Sequence, residues 1–225
     1  MERTLINGMD RRTTRVILAS SAVLVLWSLM SSVLKLGPIT ASIITYSLYI
    51  FYWLYAVRFK NPLIIRLLVI GTIAGLLELA TDHYLVDTIG SLVYPGNELM
   101  IWSSPAYMPF AWSNVLLQLG FIGVLLTRKF DIPKASIMLG IAGGMYIPLY
   151  EHLANNAGWW WYHPNAPFVF NAPVYVILCE ALISLSLPWL IQHAENHTLK
   201  KTLLLGCICG VWIYVSAYLA FNIAG

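Results

Sequence analysis

Charged side chains are scarce in this 225-residue chain. Asp, Glu, Lys and Arg make up 10% of the residues, whereas hydrophobic residues make up 59% and the mean hydropathy is +0.73. A soluble domain carries about 25% charged residues, so this chain has too few to cover a water-facing surface. The net charge of +3 is modest and does not indicate a nucleic-acid partner. The composition predicts a polytopic membrane protein.

Cysteine is also scarce, and its placement indicates neither disulfides nor a metal motif. Cys179, Cys207 and Cys209 all lie in apolar segments. Around the acidic residues described below, the sequence has no HxxH, HxxxH or ExxH spacing. We therefore predict no cofactor. The acids and histidines still supply enough oxygen and nitrogen ligands for a metal, so a metal-dependent membrane oxidase or hydrolase stays open as an alternative.

Long apolar runs are what the chain has in abundance. A helix needs about 20 residues to cross about 30 Å of hydrocarbon. Seven runs are long enough, and proline marks the start of five of them: Pro38, Pro62, Pro105, Pro133 and Pro173. We predict an all-α, seven-helix membrane bundle in one domain, residues 1–225, with spans at about 15–35, 38–57, 62–83, 104–127, 134–156, 172–192 and 199–223.

The basic residues fall almost entirely on one side of the predicted bundle. Twelve of the thirteen Lys and Arg residues lie in the N-terminal tail or in links on that side, and Lys35 lies on the other. Cytoplasmic links carry an excess of Lys and Arg. We therefore predict a cytoplasmic N-terminus and an external C-terminus, and we expect the inner (plasma) membrane of a bacterium.

Six of the ten acidic residues lie at the external ends of the spans, in the external links or inside a span: Glu78, Asp82, Asp87, Glu98, Glu151 and Glu180. Charged groups within a membrane span are costly, and those that are retained mark functional sites. Glu78 and Asp82 are four residues apart, as are Glu151 and Asn155, so each pair shares one helix face. Glu180 lies about 10 Å into span six. We predict that one external cavity holds four catalytic acids: Glu78, Asp82, Glu151 and Glu180.

Aromatic residues and histidines follow these acids in the sequence. The run WWWYH, Trp159–His163, is typical of an aromatic belt at the membrane surface. Aromatic rings can also line a pocket, where their faces stabilise a cation. We predict that the substrate-binding residues are His83, Tyr84, Tyr107, Trp112, His152, Trp159, Trp160, Trp161, His163 and Tyr175.

Two helix pairs resemble each other in sequence. ELATDH (78–83) and EHLANN (151–156) end spans three and five, and each is followed by an aromatic–proline step and a Pro-x-Tyr return. Trp112 and Glu180 each come five residues after that tyrosine. We predict a parallel repeat of residues 62–127 and 134–192, a device known in membrane folds, with Glu180 at the floor of a shared cavity.

The last span lacks the residue that one seven-helix class requires. Microbial rhodopsins hold retinal through a lysine in their last helix, and the run LLLGCICGVWIYVSAYLAFNIAG has none. The sequence therefore excludes a retinal protein of that class.

The segment from Glu151 through GWWWYHP and FNAP to Glu180 resembles small polytopic carotenoid hydratases and cyclases. The shared features are a helix-ending Glu, a Gly/aromatic link and a return marked by proline. As a type, the chain is also similar to seven-span membrane terpene cyclases that depend on acidic residues. The resemblance implies cyclisation or hydration of an isoprenoid or another lipid, with Glu151 and Glu180 as candidate acids.

The sequence leaves three functions open. The first is this acid–base enzyme, a lyase or isomerase that binds membrane lipids and a lipophilic small molecule in the outer half of the bilayer. The second is a proton-coupled transporter or a membrane-complex subunit, because buried carboxylates also mark proton paths. Pro109, Pro148 and Pro188 are the candidate helix breaks for that function. The third is the metal-dependent oxidase or hydrolase.

Overall fold

The computed structural model describes residues 11–194 and 198–225. The predicted basic tail before residue 11 and the link residues 195–197 lie outside that range. Seven helices are long and apolar enough to cross a membrane, which confirms the predicted number of spans. They are α1 (Arg11–Leu34), α2 (Ile39–Arg58), α3 (Pro62–His83), α4 (Met108–Lys129), α5 (Ile132–Ala157), α6 (Val174–Ala194) and α7 (Leu199–Ala224).

Local sequence explains where several helices begin. The Asn61 side chain caps α3 by accepting a hydrogen bond from the Ile64 N–H at 3.1 Å, with Pro62 in the first turn. Asp131 caps α5 in the same way. The predicted starts at Pro105 and Pro173 are wrong, because both prolines lie in short strands and α4 and α6 begin only after them.

Six two-residue strands interrupt the predicted all-α architecture. They are β1 (Leu92–Val93), β2 (Met100–Ile101), β3 (Ser104–Pro105), β4 (Trp161–Tyr162), β5 (Phe168–Val169) and β6 (Ala172–Pro173). All the pairings are antiparallel: β2 with β3, β5 with β6, and β1 with β4. A five-residue π-helical turn, Tyr84–Thr88, extends α3. Strands this short carry no period that a sequence can reveal.

The two hairpins have matching backbones. Trp102 has a φ of 59° in the β2–β3 turn, and Phe170 has a φ of 55° at the same place in the β5–β6 turn. Strands β1 and β4 follow the first helix of their respective pairs, α3 and α5. They pair symmetrically about a local two-fold axis, Leu92 with Tyr162 and Val93 with Trp161. This geometry fits the predicted repeat, whereas a gene duplication stays a prediction.

The bundle has two distinct ends. We call the end where α3 and α5 finish and α4 and α6 begin the loop end. The basic end is the opposite one, where Phe130 and Asp131 join α4 to α5. Helices α3 to α7 form a ring in which α3 packs on α4 and α7, and α6 packs on α5 and α7. Outside this ring, α1 packs mainly on α5 and α2 mainly on α4 and α3.

Glycines allow the closest approach between α3 and α4. A Cβ on Gly71 would lie 2.8 Å from the Ser113 Cα, and a Cβ on Gly75 would overlap the backbone of Pro109. Small residues let membrane helices approach in this way. Pro109 itself lies in the first turn of α4, so it does not break that helix as predicted. Pro148 and Pro188 do lie inside α5 and α6.

Candidate functional site

A cavity lies inside the helix ring, in the half nearer the loop end. The centre of a water-sized sphere can occupy about 110 Å³ of it. Helices α3 to α7 all contribute to its lining, and residues of the two long links cover it at the loop end. The four predicted catalytic acids all line it: Glu78, Asp82, Glu151 and Glu180.

Asp82 is held by two neutral donors. Its side chain is 3% exposed, and its Oδ2 accepts hydrogen bonds from the Tyr94 hydroxyl at 2.8 Å and from the Ser104 hydroxyl at 2.7 Å. Burial raises the pKa of Tyr94 well above its usual value, and the neighbouring Asp82 raises it further. Tyr94 therefore remains a hydrogen-bond donor to Asp82 at any physiological pH.

Glu78 lies one helical turn before Asp82 on the same face of α3. It is 1% exposed and lies near both the Asp82 carboxyl and the Trp112 indole of α4. Within the described part of the chain, its Oε2 atom has no hydrogen-bond partner. The predicted pairing of Glu78 with Asp82 is therefore present in the structure, and one oxygen of the pair is free for a ligand.

Glu151 and Glu180 enter the cavity from α5 and α6. Glu151 is 6% exposed, and its Oε2 accepts a hydrogen bond from the Trp160 indole N–H at 2.6 Å. Glu180 is close enough to Glu151 to interact with it electrostatically. Among residues 11–194 and 198–225, nothing donates to or accepts from Glu180 Oε2. Glu180 therefore offers a carboxyl oxygen, Oε2, that no group in the described part of the chain holds.

The lining contains no cation to balance these acids. Of the residues that the structure describes, no Lys, Arg or His lines the cavity. Ionised carboxylates in one apolar cavity repel one another, and burial without a partner disfavours charge. Protons or a bound cation must therefore offset the charge of the four acids.

Aromatic side chains make up much of the remaining lining. Trp112, Trp160 and Tyr175 are where they were predicted to be. Sequence reasoning missed Tyr146 and Tyr150, which lie four residues apart on one face of α5. Their spacing, with the second directly before Glu151, was the signal that could have identified them. The missed lining residues are Thr81, Leu85, Leu92, Met108, Ala111, Val115, Tyr146, Ile147, Tyr150, Tyr162, Val176, Cys179, Ile213 and Ala217.

Two histidines that were predicted to bind substrate, His83 at the end of α3 and His152 in α5, contact the hairpins and do not line the cavity. His83 stacks on Trp102, with ring centroids 4.3 Å apart, and its Nδ1 lies 2.9 Å from the Ser103 hydroxyl. His152 Nδ1 lies 2.5 Å from the Asn171 Oδ1. The two contacts correspond, because Ser103 and Asn171 occupy equivalent turn positions. The two histidines thus hold the β2–β3 and β5–β6 hairpins against the ends of α3 and α5.

Five other predicted binding residues also lie outside the lining, as does Asn155. The Trp159 indole donates to the Thr40 hydroxyl at 2.8 Å, so it holds α2. Tyr84 packs against aromatic rings of α7. The others are Tyr107, which is buried beside the cavity, and Trp161 and His163, which are exposed at the loop end. Aromatic composition alone did not distinguish cavity rings from packing rings.

The metal alternative finds no ligand cluster. Among the residues described, no three His, Cys, Asp or Glu side chains lie close enough together to hold a metal ion. The His83–Asp87 contact of 2.8 Å lies outside the cavity, at the loop end. The donor set of the cavity itself is carboxyl, phenol and indole, which suits proton chemistry better than a transition metal.

The fold and the cavity together define a class of protein: a candidate seven-helix membrane protein whose central cavity is lined by acidic and aromatic side chains. Residues 79–224 match the family described as "Domain of unknown function (DUF6989)". That range covers more than half of the chain, so the protein belongs to this family. It begins one residue after Glu78 and leaves out α1 and α2. No curated protein and no solved structure matches the chain.

Proposed function

We propose that this protein is an integral membrane enzyme that cyclises or hydrates a neutral isoprenoid or similar lipid by carboxylic acid–base chemistry. One observation carries the proposal: four carboxyl groups from three helices meet in one aromatic-lined cavity whose described lining has no basic residue. Structural acids are usually paired with cations, so acids gathered without them suit proton transfer.

Glu180 is the proposed proton donor. Its carboxyl adds a proton to a carbon–carbon double bond of the substrate, which leaves a carbocation and a Glu180 carboxylate. In a cyclisation, a second double bond attacks the cation, and a carboxylate of the Glu78–Asp82 pair removes a proton to give the product alkene. Glu78 lies near enough to Glu180 to interact with it electrostatically, and the removed proton returns from the pair to Glu180 to complete the cycle. General acid–base catalysis contributes about 10²–10⁴ in rate.

The aromatic lining is proposed to stabilise the carbocation. Cations are attracted to the faces of tryptophan and tyrosine rings. Trp112, Trp160 and Tyr175 reach the cavity from three different segments, so they surround its contents rather than flank one side. A hydrogen bond holds Trp160 to Glu151, which fixes that ring before any substrate arrives.

The charge of the lining supports a neutral substrate. Phosphate and diphosphate groups are bound by Arg, Lys or helix N-termini, and the described lining offers neither Arg nor Lys. The unpartnered oxygens of Thr81, Glu78 and Glu180 are free to hydrogen-bond an oxygen atom of the substrate. An isoprenoid alcohol, epoxide or ketone supplies such an atom without negative charge.

We further propose that the bundle spans the inner membrane of a bacterium with the loop end outside. The seven helices have the length and hydropathy to do so. Basic residues gather at the opposite end: Arg58 ends α2 and Lys60 follows it, and Arg128 and Lys129 end α4. The positive-inside rule then puts the basic end in the cytoplasm and the cavity in the outer half of the bilayer.

Solvent deuterium tests the chemistry without knowing the substrate in advance. Membranes containing the protein are incubated in D₂O with a mixture of neutral isoprenoid hydrocarbons, alcohols and epoxides. We expect a product that carries one deuterium on carbon, and we expect Glu180→Gln to lower its formation by at least about a hundredfold. Glu98→Gln removes a carboxyl that bonds Ser42 outside the cavity and leaves the rate unchanged. A product without deuterium, or an active Glu180→Gln, contradicts the proposal.

A proton-coupled transporter is the second candidate, because of one feature of α5. Pro148 lies inside this helix, three residues before Glu151, and a proline there removes a backbone hydrogen bond next to the acid. Interrupted helices and buried carboxyls occur together in transporters. Proton flux into liposomes containing the protein, lost in Glu151→Gln and unaccompanied by any lipid product, favours this function over the enzyme.

A further inference from the structure

We propose that lipophilic ligands reach the cavity sideways, from the bilayer, through the seam between α4 and α5 that the α1–α2 hairpin covers. This proposal rests on the proposed function, since it assumes a ligand dissolved in the membrane. Hydrogen bonds close the loop end of the cavity, and close helix packing closes the side nearer the basic end.

Hydrogen bonds close the loop end of the cavity. The β1–β4 pair crosses above it, and the His163 N–H bonds the Ser91 carbonyl at 2.8 Å. The Tyr175 hydroxyl donates to the Ser91 hydroxyl at 2.8 Å. Tyr94 and Trp160, which line the cavity from this side, are tied to Asp82 and Glu151. A ligand arriving from water at this end would have to break backbone pairing.

Close helix packing closes the side nearer the basic end. A Cβ on Gly120 of α4 would lie 2.8 Å from the Ile191 side chain of α6. A Cβ on Gly123 would lie 3.3 Å from Leu139 of α5. Three helices therefore meet below the cavity with no space for a ligand, and α4 and α5 are in contact there.

The seam between α4 and α5 is different nearer the loop end. Every other neighbouring pair in the ring packs extensively, whereas α4 and α5 make little contact. Lining residues of α3 and α7 are buried, whereas five beside the seam keep part of their surface accessible: Ala111, Trp112 and Val115 on α4, and Tyr146 and Tyr150 on α5. Glu180 of α6 and the link residues Tyr94 and Tyr162 are partly accessible as well. The two helices thus diverge from their joined basic ends, and the cavity lies in the gap.

The α1–α2 hairpin lies across this gap. Because α1 packs on α5 and α2 packs on α4, the hairpin straddles the seam, yet neither helix contributes a lining residue. At the loop end it is fixed by the Gly37 N–H, which bonds the Ala157 carbonyl at 3.0 Å. Towards the basic end, Ser20 and Gln118 both bond the Tyr52 hydroxyl. Between these points α2 is held further, because the Asn114 side-chain N–H of α4 donates to the Thr45 carbonyl at 2.9 Å and the Tyr49 hydroxyl lies 2.9 Å from the Thr72 hydroxyl of α3. Along α1, Leu24 and Trp27 pack on the core.

Polar contacts therefore fix α2 to the ring, and α1 is the part of the cover that packs through apolar side chains and can move. Apolar side chains of the hairpin exchange protein for lipid at little cost in a bilayer, since lipid tails are as apolar as they are. The polar attachments keep the hairpin in place meanwhile. The matched family range of 79–224 contains the whole seam and excludes both the hairpin and most of α3.

Carbodiimides of different solubility test the route. Dicyclohexylcarbodiimide dissolves in membranes and adds to protonated carboxyls, whereas a cationic carbodiimide stays in water. Both are applied to the protein in liposomes, and modified carboxyls are mapped by mass spectrometry. We expect the membrane-soluble reagent to label Glu180 or Glu78, and the cationic one to label neither.

Two variants locate the opening. Ala111→Trp fills the seam on α4, and we expect it to slow labelling by about tenfold or more. Ala142→Trp makes the same change on the exposed face of α5 and leaves the labelling rate within about twofold. Trp27→Ala removes the apolar cover, and we expect labelling to become several-fold faster.

Three results overturn the proposal: equal labelling by the cationic reagent, no labelling by either reagent, or an Ala111→Trp variant that reacts like Ala142→Trp. None of these measurements requires a substrate to be converted. Labelling through the seam without any lipid product leaves the route intact and the enzyme function wrong. Turnover without seam-dependent labelling gives the opposite result.

Discussion

The helix pairs α3–α4 and α5–α6 carry matching hairpins, and each hairpin is held by a histidine of its own pair. In the first pair both cavity acids, Glu78 and Asp82, lie on α3, and α4 contributes Trp112. In the second pair α5 contributes Glu151, and Glu180 takes the position on α6 that corresponds to Trp112. The backbone frame is therefore repeated while the chemistry is not, which separates residues that maintain the fold from residues that define the site.

The largest effect is expected where equivalent positions differ in charge. Asp82 corresponds to Asn155, but only Asp82 lines the cavity. We expect Asp82→Asn to lower product formation by about a hundredfold, since it removes a proton acceptor. The reverse change, Asn155→Asp, places a carboxyl outside the cavity and is expected to leave product formation within about threefold. Product formation in D₂O measures both, and equal losses would mean that the halves are functionally equivalent.

An intermediate effect is expected at the equivalent glycines, Gly71 and Gly144. A Cβ on Gly71 meets the Ser113 backbone at 2.8 Å, whereas a Cβ on Gly144 meets the Ala181 Cβ at 3.2 Å and the Ile177 carbonyl oxygen only at 3.5 Å. Backbone cannot shift as easily as a side chain, so we expect Gly71→Ala to destabilise the protein by about 1–3 kcal/mol. Gly144→Ala is expected to cost less than about 1 kcal/mol. Thermal unfolding in detergent measures the difference, and a larger loss for Gly144→Ala would contradict it.

The smallest effect concerns the hairpin turns. A left-handed conformation costs a non-glycine residue about 1 kcal/mol, so glycine relieves strain at both turns. Phe170 makes only a tilted contact with His152 at 5.9 Å, and we expect Phe170→Gly to raise the midpoint of thermal unfolding by about 2–4 °C. Trp102 stacks closely on His83, with ring centroids 4.3 Å apart, so Trp102→Gly loses this stacking. We expect that loss to cancel the relief of backbone strain and to leave the midpoint of thermal unfolding unchanged. Equal shifts in the two variants would show that the stacking contributes nothing.

Helix positions were predictable because length and hydropathy determine them. The start of α3 at Pro62 was predicted to the residue, since Asn61 and Pro62 together form a recognisable helix beginning. The start of α4 was predicted four residues too early, because the chain remains extended through β3 before it turns into the helix. A two-residue strand is specified by its partner rather than by its own sequence, so no local pattern reveals it.

The acids of the site were predictable, and most of their surroundings were not. Glu78, Asp82, Glu151 and Glu180 stood out because each is costly in an apolar helix. His83 and His152 were placed in the same cavity by proximity in sequence. Their partners, Ser103 and Asn171, lie 20 and 19 residues away along the chain, and only the folded hairpins bring them near. Tertiary contacts therefore decide whether a histidine side chain near a helix end faces the cavity or a hairpin.

The β1–β4 pair has a consequence for biosynthesis. Leu92 and Val93 leave the ribosome about 70 residues before Trp161 and Tyr162, which at typical synthesis rates of about 5–20 residues per second is a delay of several seconds. During that interval α3 and α4 are made but the strand that covers them has no partner. The acids of α3 then lack the cover that β4 and the second helix pair provide. Closure of the chamber, and with it the dehydration of Glu78 and Asp82, must wait until the second helix pair has been translated.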